Sequence, residues 1–271
     1  NTPSGSYFWY RKRQEVFKLV ERNLHIFQNQ SSQKSASPVW VDIGCGESID
    51  LFFIRELFEK HSLKWNFLGL EANPSLLNIN FLKKQYYQID NVDFIPCDVT
   101  QKLPFQDGEV DIIYCSEVIE HLLNPESFLQ EIKRVTKPNG YLVLTTPNEP
   151  NVFQRAYWSK NRFQQMQATI QAIKEQPQQV DVDTEKVLVY DGHVSLRTIS
   201  QWDKTLNQIG YRVVDYGRGA VTYGGTPFFD NEWILGIRFL LEAFLDKLPR
   251  QWTRNLSDEL IGLYQLDDKS H

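Results

Sequence analysis

Val41-Asp42-Ile43-Gly44-Cys45-Gly46 is the stretch on which the fold turns. The apolar run Val39-Trp40-Val41-Asp42-Ile43 halts at a glycine pair, as a buried strand does where the chain must bend sharply. Apolar residues then recur at helical spacing from Leu51 to Lys60, so the glycines mark a strand turning into a helix. Glycine lets the backbone turn tightly and lets a ligand reach the amides, and a helix N-terminus offers free N–H groups. The dinucleotide pattern G-x-G-x-x-G is incomplete in Gly44-Cys45-Gly46-Glu47-Ser48-Ile49: no third glycine stands at 49, and a carboxylate follows the second. Glu47 and Asp42 disfavour a pyrophosphate and suit a ligand with a cationic centre or an amine.

Outward from this turn the same alternation repeats. Phe67 to Leu70 reads as a strand ending at Glu71, and Pro74 to Tyr87 as a helix with proline in its first turn. Strands follow at Val92 to Ile95 and Val110 to Cys115, then a helix from Pro125 to Val135, a turn at Lys137 to Gly140 and a strand from Tyr141 to Thr145. Strands alternating with helices predict a parallel sheet covered on both faces, a doubly wound α/β fold. Glu71 lies 29 residues after Asp42, at a strand end where a carboxylate accepts hydrogen bonds from ribose hydroxyls.

Before the turn, Tyr7 to Phe27 reads as a helix and residues 31–38 as a polar linker, giving an N-terminal segment 1–38 and a main domain 39–271. After it, 151–173 reads as Gln-rich helix and 174–186 as exposed loop, so that an insertion of about 149–192 is expected to form a helical lid. A helix over 200–209, a strand over 211–216, a strongly apolar helix over 231–248 and a last strand over 260–265 complete the chain. The 231–248 helix is expected to pack against the sheet, because its polar face lacks the Lys and Arg of interfacial helices.

Composition removes several classes. The 271 residues carry 41% hydrophobic and 23% charged side chains, which is globular and not disordered. A net charge of −5 argues against a nucleic-acid partner. Three cysteines without a CxxC pair leave no disulfide framework or structural zinc to expect, and a reducing, cytoplasmic setting is the expectation. Neither a leader peptide nor a membrane span is expected, since no apolar run reaches 18 residues. The oligomeric state is not legible.

Five segments in order carry a resemblance: Val41 to Gly46, Leu70-Glu71-Ala72-Asn73, Pro96-Cys97-Asp98-Val99, Asp111 to His121, and Lys137 to Asn148. They resemble the successive motifs of class I S-adenosylmethionine-dependent methyltransferases, in the subgroup of ubiquinone-biosynthesis and natural-product small-molecule enzymes. The resemblance covers 39–148 well and 190–216 loosely. It implies a seven-stranded Rossmann-like sheet with the last strand antiparallel, and S-adenosylmethionine as cofactor. It also implies roles: Asp42, Gly44, Cys45 and Gly46 for the methionyl end, Glu71 for the ribose, and Ala72 flanking the adenine. Asp98 would accept the adenine amino group with the Val99 amide nearby, and Cys115 and Ser116 would lie beside the sulfonium. Ser48 departs from the pattern, standing where many members have glycine.

The implied activity is methyl transfer to a small organic acceptor, most readily at oxygen. A hydroxyl acceptor must shed a proton, and His121 and His193 are the candidate bases, with no metal in this reading. A rival reading gathers Glu117, Glu120, His121 and His193 around a divalent cation, a pattern that resembles the small-RNA 2′-O-methyltransferases. A further rival is a cofactor-binding chain without turnover. Cys45 and Cys115 read as packing residues in residue terms alone. Aromatic residues at 7–10, 153–163 and 223–233 are candidates to cover the acceptor.

Overall fold

The computed structural model describes residues 3–32, 37–149, 193–221 and 232–267, with isolated positions between 168 and 175. The strands are β1 (Val39–Ile43), β2 (Asn66–Glu71), β3 (Val92–Pro96), β4 (Val110–Ser116), β5 (Thr136–Pro147), β6 (Tyr211–Tyr216) and β7 (Glu259–Leu266). They form one seven-stranded sheet in the order β3-β2-β1-β4-β5-β7-β6. The first five are parallel, and β7 runs antiparallel to both β5 and β6. The fold is the doubly wound, Rossmann-like α/β architecture expected. The strand order reverses between β1 and β4, and in such sheets ligands bind at that crevice.

Helices cover both faces: α1 (Pro3–Arg22), α2 (Leu24–Ser32), α3 (Ile49–Lys60), α4 (Pro74–Tyr86), α5 (Pro125–Val135), α6 (Ile199–Ile209), α7 (Glu232–Leu245) and the single turn α8 (Arg250–Thr253). One layer packs Val41, Ile43, Ile113 and Cys115 against Phe128, Ile132, Trp202 and Leu206 of α5 and α6. The other packs Trp40, Ile112 and Tyr114 against Leu19 of α1, Phe27 of α2 and Phe58 of α3. This parity decides what the site can contain, because alternate residues of a strand face opposite ways. Asp42 shares the parity of Trp40, and Ser116 that of Tyr114, so both belong to the face covered by α1 and α3. Cys115 falls on the other.

Three expectations change. The N-terminal helix is two helices, because the Asn23 side chain donates to the Leu19 carbonyl at 2.8 Å and to Asp215 at 2.8 Å, drawing the chain out of helical register. The expected turn at Lys137 to Gly140 lies inside β5: Val110 pairs with Thr136 and Ile112 with Tyr141, so the segment bulges out, with Asn139 at φ 61°. The apolar helix α7 is not buried; Ile237, Leu240 and Phe244 are all exposed. Of its described side chains, Glu242 and Leu245 are the buried ones.

Candidate active site

At the carboxyl ends of β1 and β4 a cavity of about 170 Å³ is lined by Asp42, Gly44, Cys45 and Ser116 from the sheet side and by Trp9, Lys12 and Arg13 from α1. The turn after β1 is held by the neighbouring strand: the amides of Gly44 and Cys45 both donate to the Leu70 carbonyl, at 2.9 and 3.0 Å. Gly44 has φ +68°, and a Cβ there would stand 2.5 Å from a Val118 methyl, so the position admits only glycine. Gly46 also has positive φ, +52°, but a Cβ there would meet nothing within 4 Å. Its open side faces the crevice, and its carbonyl accepts from Asn80 Nδ2 at 2.7 Å. Ser48 takes φ 56°, the left-handed backbone that a glycine adopts freely, so the loop keeps its path without the third glycine.

Glu71 closes the next edge. Its Oε2 accepts from the Gly46 amide at 2.9 Å and its Oε1 from the Asn73 amide at 2.8 Å. It therefore anchors the glycine turn besides standing half-buried at the strand end. Ala72 and Asp98 are exposed at the neighbouring strand ends. The Thr100 hydroxyl and amide both donate to Asp98 and hold its carboxyl below the ordinary value.

Asp42 is 3% exposed. Among the described residues nothing donates a hydrogen bond to its carboxylate. The nearby cations are engaged elsewhere: Lys12 Nζ lies 3.6 Å from Glu117 and 3.9 Å from Glu259, and Arg13 pairs with Asp50. Burial, then the charges of Asp50 and Glu71, push its carboxyl well above the usual range. Burial also pushes the Cys45 thiol to about 12 and the Cys115 thiol up, so neither is a nucleophile. Cys115 is fully buried in the core, whereas Ser116 bonds Thr145 Oγ1 at 2.8 Å at the rim.

Beyond β4 the chain enters a 3₁₀ turn, Ile119–His121. The His121 and His193 rings meet edge to face at 5.1 Å. His193 Nδ1 lies 3.0 Å from buried Glu149 Oε2, which fixes the ring. Burial works against the imidazolium, but the Glu149 hydrogen bond and charge, with Glu120 and Glu117 behind, outweigh it and raise the His193 pKa. Glu120 is 1% exposed; burial and the charge of Glu117 raise its carboxyl to about 8. Ligand atoms of Glu120, His121 and His193 lie within 4.8 Å of one another. His121 also lines a larger hollow of about 990 Å³ with Val99, Leu122, Asn124 and Phe128.

The structure thus gathers Asp42, Gly44, Cys45 and Ser116 in one cavity and pairs the two histidines. It does not bring Glu117 to them. Glu117 has φ 55°, outside the 3₁₀ turn, and accepts from Thr145 Oγ1 at 3.1 Å, so the group of four in the rival reading is reduced to Glu120, His121 and His193. Sequence reasoning missed Lys12, Arg13 and Glu149. The run Trp9-Tyr10-Arg11-Lys12-Arg13 carried a signal, aromatic and cationic side chains together at one end of an amphipathic helix. The expected lid and the rings at 153–163 and 223–229 lie outside the described residues, as do the side chains of Tyr7 and Phe8. Among the described residues no helix is long and apolar enough to cross a membrane.

A seven-stranded doubly wound sheet with a glycine turn at its switch point is the architecture of class I S-adenosylmethionine-dependent methyltransferases. A family model described as a methyltransferase domain matches residues 34–218, and the chain belongs to that family. It is similar to the ubiquinone biosynthesis O-methyltransferase of Acinetobacter baylyi, 27% identical over 108 residues that cover 40% of this chain and 43% of that one. An uncharacterized methyltransferase of Schizosaccharomyces pombe is 34% identical over 110 residues, 38% of this chain and 37% of that one. The chain therefore spans under half the length of these curated relatives. Among solved structures, the DszA carbon methyltransferase superposes with a TM-score of 0.57 over 94% of this chain and 54% of that one at 15% identity, a likeness of fold alone.

Proposed function

We propose that this chain moves a methyl group from S-adenosylmethionine to an oxygen of a small organic acceptor. The observation that carries the reading is Asp42: a buried carboxylate without a donor among the described residues, beside a glycine turn, in a cavity that also holds cations. Leaving such a group unpaired is costly, and the ammonium of an aminoacyl chain supplies the missing partner. In this reading Gly44, Cys45 and Gly46 line that chain by their backbone, and Arg13 or Lys12 meets its carboxylate. Glu71 takes the ribose hydroxyls, Ala72 flanks the adenine, and Asp98 with the Val99 amide takes the adenine edge. Ser116, with the backbone of Cys115, lies beside the sulfonium. Residues 149–192 act as the lid.

When bound, the cofactor supplies an electrophilic methyl on a sulfonium. The protein's part is to hold the acceptor in line and to take its proton. His193, oriented by Glu149, and His121 beside it are suited to that proton, and this favours a hydroxyl acceptor. The relative from Acinetobacter baylyi, named as an O-methyltransferase, supports oxygen, while the fold neighbour named as a carbon methyltransferase shows that the fold does not dictate it.

Calorimetric titration with S-adenosylhomocysteine tests the cofactor site. Binding in the micromolar range or tighter is expected, and Glu71→Ala should weaken it by about 1–3 kcal/mol. Unchanged affinity in a folded variant would put the ribose elsewhere. A second reading has one observation in its favour: Glu120, His121 and His193 are close enough to share a divalent cation. Among the described residues Glu120 Oε1 is buried without a hydrogen bond, which fits a ligand atom, while Glu117 stands apart. Calorimetry with the metal alone decides: binding abolished by His193→Ala supports it, and no heat with chelator-insensitive turnover removes it.

A further inference from the structure

The cavity at the ends of β1 and β4 is lined by four carboxylates, Asp42, Glu47, Asp50 and Glu117, and by two cations, Lys12 and Arg13. Three of the four carboxylates have evident roles. Asp50 is held by Arg13 and by the Tyr114 hydroxyl at 2.9 Å. Glu47 stands toward solvent, its side chain 59% exposed, with Lys83 at 3.8 Å. Asp42, in the methyl-transfer reading, meets the aminoacyl ammonium of the ligand. Glu117 is left over.

Glu117 follows Ser116 directly and is fixed at the end of β5, its amide donating to the Thr145 carbonyl at 3.2 Å. Its side chain is mostly buried. Burial works against its charge, but Lys12 first, and hydrogen bonds after it, hold the carboxyl below the ordinary value. Lys12 does not cancel that charge by direct bonding. Its Nζ lies 3.6 Å from Glu117, 3.9 Å from Glu259 and 4.0 Å from the centre of the Trp9 ring, so it is divided among three partners. Both ion-pair distances exceed the roughly 2.7–2.9 Å of a charge-assisted hydrogen bond. The order of protons adds a second negative feature. Thr145 has one hydroxyl proton and donates it to Glu117 at 3.1 Å, so in the 2.8 Å contact between Ser116 and Thr145 the donor is Ser116. The Ser116 oxygen then offers the cavity only lone pairs.

S-adenosylmethionine and S-adenosylhomocysteine share their aminoacyl, ribose and adenine parts. They differ at sulfur, where the methylated form carries a positive charge and the spent form carries none. A fixed negative charge near the sulfur therefore tells one from the other. We propose that Glu117, by its own charge and by the orientation it gives Ser116, makes the site prefer the sulfonium form of the cofactor over the spent thioether, with Lys12 as the opposing charge that limits the preference. The inference rests on the methyl-transfer reading and on its placing of Ser116 beside the sulfonium. Loss of the charge on transfer then favours release of the spent form. The opposing lysine has a reason: the sulfonium charge fades in the transition state, so an unopposed carboxylate would hold the ground state more tightly and slow the transfer.

Calorimetric titration of the full chain with S-adenosylmethionine and with S-adenosylhomocysteine, both with a chelator present, tests this. The readout is the ratio of the two dissociation constants, from which contacts common to both ligands cancel. Glu117→Gln should shift the ratio at least about tenfold toward S-adenosylhomocysteine, chiefly by weakening S-adenosylmethionine. Lys12→Met should shift it in the opposite direction. A ratio that stays put in both variants, or moves the same way in both, overturns the proposal. Should Glu117→Gln fail to fold, Lys12→Met decides alone, and a ratio unchanged or shifted toward S-adenosylhomocysteine overturns it. Binding of both ligands with an unmoved ratio removes this inference and leaves the methyl-transfer reading standing. Binding of neither ligand to the wild type removes both.

Discussion

Ser48 holds a left-handed backbone at φ 56° as the first residue before α3, and its side chain makes no capping bond there. A side chain in that conformation costs roughly 1–2 kcal/mol, of which glycine recovers about half after its own entropy loss. Ser48→Gly should therefore raise the thermal midpoint by about 2–4 °C, and a scan of the ligand-free protein checks it. The histidine end gives a pH-dependent counterpart. The folded pKa of His193 is raised above its unfolded value, so its pairing with Glu149 stabilises fully below pH 6.5 and fades as pH rises through the folded pKa. Glu149→Gln should cost about 1–3 kcal/mol near pH 5, markedly less near pH 9, and move the His193 ring titration to lower pH by NMR. An unmoved titration would mean that Glu149 does not set this ring's charge. The motif residues were legible in the sequence because Gly44, Glu71 and Asp98 are dictated by backbone shape at strand ends. Glu149 was not, since its partner lies 44 residues away and only the tertiary fold joins them.

Among the elements, β1 to β5 and the helices between them could be read from periodicity, because buried parallel strands are apolar runs bounded by turn residues. Where reading failed, a local rule lost to tertiary contacts. Periodicity gave α7 an apolar stripe but could not say which way the stripe points. Glu242 is buried and held by Arg218, itself 1% exposed, which also reaches Asp246 at the surface. Removing one partner of such a buried cluster strands the rest. Arg218→Met should destabilise the fold by about 3–5 kcal/mol in urea, and adding Glu242→Gln should return part of the loss. Equal stability of Arg218→Met and wild type would show that α7 is not clamped by this pair.

At the scale of the whole molecule, the order β5-β7-β6 was available only from the resemblance, because nothing local says that the last strand inserts antiparallel between two others. The covering of the cavity by α1, which brings Lys12 and Arg13 to its lining, was not available even from the resemblance. The assembled fold therefore holds a carboxylate, Asp42, that has no donor among the described residues, and this bears on stability as a whole. Its folded pKa lies above the unfolded value, raised by burial and by Asp50 and Glu71. A raised carboxyl pKa means that stability declines as pH rises from the unfolded pKa, about 3.9, through the folded one. Asp42→Asn removes that titration, so the variant should melt above the wild type without ligand, by a margin that is small near pH 4 and grows toward pH 8. With S-adenosylhomocysteine the order should reverse. The wild type gains about 2.7 kcal/mol at a hundredfold excess over its Kd, whereas the amide forfeits the ion pair and binds at least about tenfold more weakly. Melting curves of both proteins at pH 5 and pH 8, with and without the ligand, measure the pH and ligand effects together. A variant no more stable than wild type at pH 8, and equally stabilised by the ligand, would remove Asp42 from the cofactor site.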